Sequence, residues 1–272
     1  MRNVNKALFG VIGLLALFLS SGVTAWQARS GKGQSQPGGQ KITKALEKHP
    51  VVDYEAPEPS DPSKRAKRRA KSSTYNDPEG PKIDPSEYVV RASSNDWELA
   101  LDSTLPAAQS SAVVVGEVVA GRAHLSEDKA NVYSEFSVRV EEVIKNDPGE
   151  PISVSDVVVT ERQGGRVRLP NGRISGYYVS GQNPPEVGRR YVLFLGFNKY
   201  DASNRRLTAR REMSRHILTG YEFKEDKVFP LDGAGGKNFQ EHSGKDAAAF
   251  LDEIRRAVTS SSGVVPEQGN WQ

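Results

Sequence analysis

Four histidines, His49, His124, His216 and His242, are the residues of this chain best suited to acid–base work near neutral pH. None stands in a metal-ligand spacing such as H-x-x-x-H, and neither H-E-x-x-H nor G-x-S-x-G occurs. There is no cysteine, which removes thiolate metal sites, disulfide frameworks, nucleophilic thiols and lipid-modified cysteines. Gly164-Gly165 and Gly233-Ala234-Gly235-Gly236 lack the remainder of a phosphate-binding loop, and acid pairs such as Glu141-Glu142 and Asp252-Glu253 read as solubilising surface. These spacings point to no catalytic residue, no cofactor and no metal. An enzyme on this chain would be a hydrolase of envelope material, assembled over long range from His216 or His242 with an acid and a serine.

The basic residues carry a stronger signal, because they are segregated along the chain. Residues 81–161 hold six cations and fifteen acids, whereas residues 162–215 hold twelve cations and three acids, and eleven of the twelve are arginine. A guanidinium fork suits carboxylate and phosphate oxygens, so Arg166, Arg168, Arg189, Arg205, Arg206 and Arg210 are candidate anion contacts on one positive face. The competing expectation is that these arginines pair across strands with the acidic first third, each contributing little. A second cluster, KRAKRRAK, places Lys64, Arg65, Lys67, Arg68, Arg69 and Lys71 in eight positions. It reads first as a solvated charge run in a linker, and second as a contact for polyanions such as lipid headgroups or cell-wall polymers.

The elements that must position these groups are mostly strands. SAVVVGEVVAG, residues 111–121, is β-branched and glycine-bounded. In VYSEFSVRVEEVIK, Val132, Phe136, Val138, Val140 and Ile144 take one side of a period-two alternation, while Tyr133, Glu135, Ser137, Arg139 and Glu141 take the outward side. ISVSDVVVTE follows an Asn-Asp-Pro-Gly turn, Asn171-Gly172 marks a small projecting hairpin, and YVLFLGF, residues 191–197, is the expected central strand. RRLTAR, RHILTGYEF and KVFP supply further short strands, with a polar turn at Lys224–Lys227. Ser94 or Asn95 can cap a short helix to about Leu105. Ser243 and Asp246 introduce a closing helix whose Ala247, Phe250, Leu251, Ile254 and Val258 recur at helical spacing. Tyr177 and Tyr178, beside arginines, resemble the stacking platforms of single-strand binders, although adjacency lets at most one face a ligand.

The first 25 residues have the form of a secretory signal: Arg2 and Lys6, an apolar run from Ala7 to Leu19, then small residues that place cleavage after Ala25. An uncleaved anchor is the alternative, and either one puts the chain outside the cytoplasm, in the periplasm, on the cell surface or in the medium. Residues 26–80 read as a disordered basic linker and 81–110 as a short helix and lead-in. Residues 111–258 read as a β-barrel domain with its closing helix, and 259–272 as a flexible tail.

EFSVRVEEVIKNDPGEPISV and PPEVGRRYVLFLGF together resemble an exported bacterial β-domain family of unassigned function. Its members run strand, V-x-x-V-[LI]-K-G, turn, I-x-V, a Gly-Gly loop, then G-E-[RK]-x-[LV]-L-F-L. The matching positions are Val140, Val143, Ile144, Lys145, Ile152, Val154, Gly164, Gly165, Gly188, Arg190, Val192, Leu193, Phe194 and Leu195, within residues 111–235. Asn146 departs from the family's glycine and Arg189 from its glutamate. The resemblance implies an OB-like barrel similar in fold to tissue inhibitors of metalloproteinases, without their disulfides, and implies no activity. The expected fold is therefore mainly β: a small antiparallel OB-like barrel with a short N-terminal helix and a C-terminal amphipathic helix, preceded by a disordered tail. The expected function is a non-enzymatic binding or interaction module of the cell envelope or exterior, with an anionic envelope polymer, acidic protein or glycan as partner. A membrane would be touched only transiently, through the signal or the basic tail. The envelope hydrolase and an OB-type single-strand nucleic-acid binder are the alternatives.

Overall fold

The computed structural model describes residues 47–93, 101–197, 215–233 and 237–262. Two long strands, β3 (Ala112–Leu125) and β4 (Val132–Lys145), form the largest antiparallel pair, and they bend because three register shifts interrupt their ladder. At one of these Gly116 lets the strands close up: a Cβ there would lie 2.4 Å from the Arg139 carbonyl oxygen. β5 (Val157–Gln163) continues the sheet beyond β4, and β8 (Arg190–Phe197) adds to the other edge of β3. β9 (Arg215–Lys224) then pairs antiparallel with β8 and, over Thr160–Glu161, parallel with β5, which closes a five-stranded ring with β10 (Lys227–Pro230) hairpinned onto β9. Numbered from β3, the ring runs first, second, third, fifth, fourth strand and back to the first. It is the expected OB-like barrel, antiparallel except at the one β5–β9 seam.

A second sheet sits beside the ring in the order β1 (Val51–Asp53), β6 (Gly165–Arg168), β7 (Ile174–Val179), β2 (Val90–Ser93). Its middle is the Asn171-Gly172 hairpin, which is flanked on both sides by parallel strands from the segment before the barrel. The chain passes from one sheet to the other at Gly164, whose φ of +107° only glycine adopts without strain.

Core composition follows from this layering. Val114, Val118, Phe136, Val138, Leu193 and Leu195 fill the barrel. Val113, Val115, Val192, Phe194 and Tyr221 point outward from it against Phe250 and Ile254 of α2 (Ala247–Ser262). β3 and β8 are thus covered on both faces, which explains their unbroken apolar runs. The closing helix packs through the expected residues, and its cap is Asp246, whose carboxylate accepts from the Ala249 N–H at 3.0 Å. Among the described residues no helix is long and apolar enough to cross a membrane.

Four expectations change. Residues 47–80, read as part of a solvated linker, include β1 and a twelve-residue helix, α1 (Pro62–Ser73), with Tyr75 and Ile83 buried beyond it. The physical reason is that the counter-charges for this basic run lie on the barrel and are invisible in a local window. The short helix before the barrel is therefore α1; residues 101–105 are not helical, and 94–100 lie outside the described residues. Tyr133, placed outward by alternation, is fully buried because the α1 segment covers it. The expected flexible tail at 259–272 begins later, because the closing helix runs on to Ser262; the signal segment, the linker up to residue 46, RRLTAR and residues 263–272 lie outside the described residues.

Candidate functional site

β4 and β5 form one wall of the barrel, and their register places Glu135 directly opposite Glu161. Two carboxylates in that position repel unless a cation joins them. Lys71, in the last turn of α1, supplies it, with Nζ 2.6 Å from Glu135 Oε1 and 2.5 Å from Glu161 Oε1. Glu161 is 1% exposed. Burial alone would push the Lys71 pKa down, but the two carboxylates outweigh it and raise it. Burial likewise works to raise Glu135, and the hydrogen bonds from His124 and Lys71 overcome it and hold that carboxyl at about 2.

The network extends on both sides. Arg68 Nη2 lies 3.0 Å from His124 Nδ1, and His124 Nε2 lies 3.0 Å from Glu135 Oε2. A guanidinium has only donors, so Nδ1 accepts and the imidazole proton sits on Nε2, facing the carboxylate. Two residues beyond α1, Tyr75 stacks on Tyr133 with ring centroids 4.2 Å apart and planes 5° from parallel. Its hydroxyl donates to Glu161 Oε2 at 2.9 Å and lies 3.4 Å from His216 Nδ1. Burial and then Glu161 raise the Tyr75 pKa well above the ordinary phenol value, so it stays protonated as a donor. Burial lowers that of His216.

The basic run is thus divided by the helix. Arg68 and Lys71 face the barrel, Arg65 and Arg69 engage Glu58 from the preceding loop, and Lys64 and Lys67 are exposed. α1 also borders a cleft of about 280 Å³ whose lining sets Glu55, Glu58 and Glu127 against Arg65, Arg68, Arg69 and Lys129, so that neither charge sign predominates.

Of the anion candidates, Arg166, Arg168 and Arg189 lie among the described residues. Arg166 and Arg168 lie on β6, where Arg166 donates to the His49 carbonyl at 2.8 Å and Arg168 pairs with Asp53 at 2.9 Å. Arg189 precedes β8 and lies 3.8 Å from Glu222. Arg190 pairs with Glu141 and Arg215 with Glu150. Arg162 is buried, its fork bonded by both Nη atoms to Asp232, which also accepts from Thr219. Arg205, Arg206 and Arg210 lie outside the described residues. Tyr177 is buried in the small sheet's core with Arg91 5.7 Å from its ring centre.

His242 does meet a hydroxyl and an acid, at Thr104 and Glu241, yet with the polarity reversed for hydrolysis. Lys245 Nζ sits 2.9 Å from His242 Nδ1, so that nitrogen accepts and the ring proton is on Nε2. Nε2 faces Thr104 Oγ1 at 2.9 Å, and the threonine proton goes to Glu241 Oε1 at 2.9 Å. A general base must offer a lone pair to the nucleophile, and here it offers a proton. Among the described residues no cluster of three or more histidine, aspartate or glutamate side chains is placed to hold a metal.

The sequence does carry a signal for α1 itself in Asp61-Pro62, a helix cap followed by proline at the first turn, whereas the facing of Glu135 and Glu161 depends on the β4–β5 register. No protein-family model, curated protein or solved structure matches this chain.

Proposed function

We propose that this protein is a non-enzymatic binding module that works outside the cytoplasm, in the cell envelope or beyond it, and that its working surface is the β4–β5 wall. OB barrels take ligands on the face of their second and third strands, which β4 and β5 are in this ring. The observation that carries the reading is the lower half of that wall. There Val157 and Val159 stand 58% and 46% exposed beside Ser137 and Arg139, with Val154 at 59% just before the strand. Apolar β-branched side chains grouped in solvent on a rigid wall are the mark of a contact surface. Arg162, Arg166, Arg168, Arg190 and Arg215 are paired or hydrogen-bonded within the fold, which lends the anionic-polymer reading less support than the wall, and the acids of the wall work against a nucleic-acid backbone.

The test is site-specific photo-crosslinking in the full chain, produced in its own cells. A photoreactive residue at Val157 or Val159 should give a defined macromolecular adduct in the envelope or exterior fraction, whereas one at Glu225, on the exposed β9–β10 turn, should not. The adduct should vanish when the neighbouring valine is changed to aspartate. Equal labelling at all three positions, or none at the wall, would refute the assignment, and a chain retained in the cytoplasm would refute its location.

A further inference from the structure

α1 is an unusual helix to find docked, because it buries almost nothing apolar. Of its twelve residues only Ser72 is buried, and Ala66 and Ala70 face solvent. Its cations at positions 64, 65, 67, 68, 69 and 71 repeat at three- and four-residue spacing, and each such like-charge pair works against the helix by about 0.2–0.5 kcal/mol. A helix of this length is marginal in water even with a favourable sequence. Its fold therefore depends on the carboxylates it meets. The dependence is mutual, since Glu135 and Glu161 oppose one another across the ladder and need a cation between them.

The stretches on either side of the helix are open to solvent. Upstream, residues 55–61 are largely exposed and include Pro57 and Pro59; downstream, Pro78, Glu79, Pro81 and Lys82 are exposed. Between them the docked contacts are mostly polar: Lys71 on the two glutamates, Arg68 on His124, Tyr75 stacked on Tyr133 with its hydroxyl donating to Glu161, the Tyr75 carbonyl accepting from Asn131 Nδ2, the Asp77 N–H donating to Asp128, and the Asn76 amide oxygen accepting from the Asp128 N–H.

We infer that the upper half of the β4–β5 wall is a receptor for a basic helical protein segment bearing an aromatic residue, and that α1 with Tyr75 is its exchangeable resident. The inference rests on the reading of the barrel as a binding module and names the class of partner for that wall. The ligand it fits has an arginine, a lysine three residues later and an aromatic four residues after that, as Arg68, Lys71 and Tyr75 are arranged. A second carboxylate-bearing partner would meet Glu135 and Glu161 with like charge, so the partner is cationic.

The probe is a synthetic peptide of residues 60–76 of this chain, titrated into the full-length protein. A tethered segment acts at an effective concentration in the millimolar range, so the wild-type wall should resist the free peptide. In the Lys71→Ala, Tyr75→Ala double variant the peptide should bind at least about tenfold more tightly, and a peptide carrying Lys71→Glu should not bind. No difference between wild type and variant, or equal binding of the charge-reversed peptide, overturns the inference. If the double variant does not fold, hydrogen exchange on the wild-type chain decides. Amides 63–73 should exchange faster as salt rises to about 1 M, where the screening length is ~3 Å, while those of β3 and β4 do not change. Exchange of α1 together with the barrel at both salt concentrations overturns it. A wall that crosslinks through Val157 and Val159 but ignores the peptide retains the binding module and loses this partner class.

Discussion

Asp232→Asn tests the interior role of Arg162. Asp232 is 0% and Arg162 3% exposed, and the carboxylate takes bonds of 2.8 and 2.7 Å from the guanidinium, 2.9 Å from Thr219 Oγ1 and 3.2 Å from the Asn183 N–H. Arg162 also donates to the Asn183 carbonyl, so the pair ties β5 to the long connection before β8. Asparagine keeps the shape and removes the charge, which leaves a guanidinium without a counterion where water does not reach. Breaking a buried pair in this way costs about 3–5 kcal/mol. For a domain of about 150–250 residues that corresponds to a fall in Tm of about 6–20 °C.

Thermal and urea unfolding of the full chain would measure the loss, with Arg168→Ala as the reference. Arg168 and Asp53 are 54% and 59% exposed, and a pair of that kind contributes at most about 1 kcal/mol. The double replacement Arg162→Met, Asp232→Leu should cost less than the sum of its single replacements, because it removes both desolvated charges together. If Asp232→Asn costs no more than Arg168→Ala, the buried pair is not holding the connection, and the interior role assigned to Arg162 is wrong.

Acid should weaken the fold in two steps. Burial, followed by Arg162 and Arg166, lowers the His49 pKa to about 4, so between 6.5 and about 4 the unfolded chain binds the proton first and stability falls with pH. From pH 7 to pH 5 this one group accounts for about 2 kcal/mol in urea unfolding, which His49→Gln should remove. His216 and His242, also lowered mainly by burial, act in the same direction. Glu135, held at about 2, keeps its contribution above its ordinary value of 4.5 and loses it as pH falls from there towards 2. On the far side of the barrel, Phe250→Ala should cost about 3–5 kcal/mol, read by thermal unfolding, because the ring is fully buried and 4.7 Å from that of Tyr221. A loss under about 1 kcal/mol would mean that α2 is not part of the cooperative unit.

The strands were legible because their signal is local. Period-two alternation in β4, unbroken β-branched and apolar runs in β3 and β8, and helical spacing from Ala247 to Val258 each report which faces are covered, and every one of these elements is present. α1 was not legible by the same reasoning, since its stabilising partners lie far along the chain: Lys71 and Glu135 are 64 residues apart, and Tyr75 and Glu161 are 86 apart. Tyr133 shows the corresponding error on the barrel. Alternation gave the direction of its side chain, but burial depended on what another segment would lay over it.

Charge blocks in the sequence fail as a map of the surface for a related reason. Residues 162–215 look like a single positive patch while the chain is a line, but several of the described arginines are taken up by the fold. Closing the ring sets β8 against β3 and β9, and wraps β5 between β4 and β9, so three of the described arginines meet acids from different segments: Arg190 finds Glu141, Arg215 finds Glu150, and Arg162 finds Asp232. The basic run at 64–71 shows the converse. It is neutralised in part by Glu58, Glu135 and Glu161, and because polar contacts hold it, with little apolar burial, it is the most separable of these pairings. A barrel whose interior charges are fixed and whose outer wall carries one salt-held helix has its exchangeable surface on that wall, beside the exposed valines.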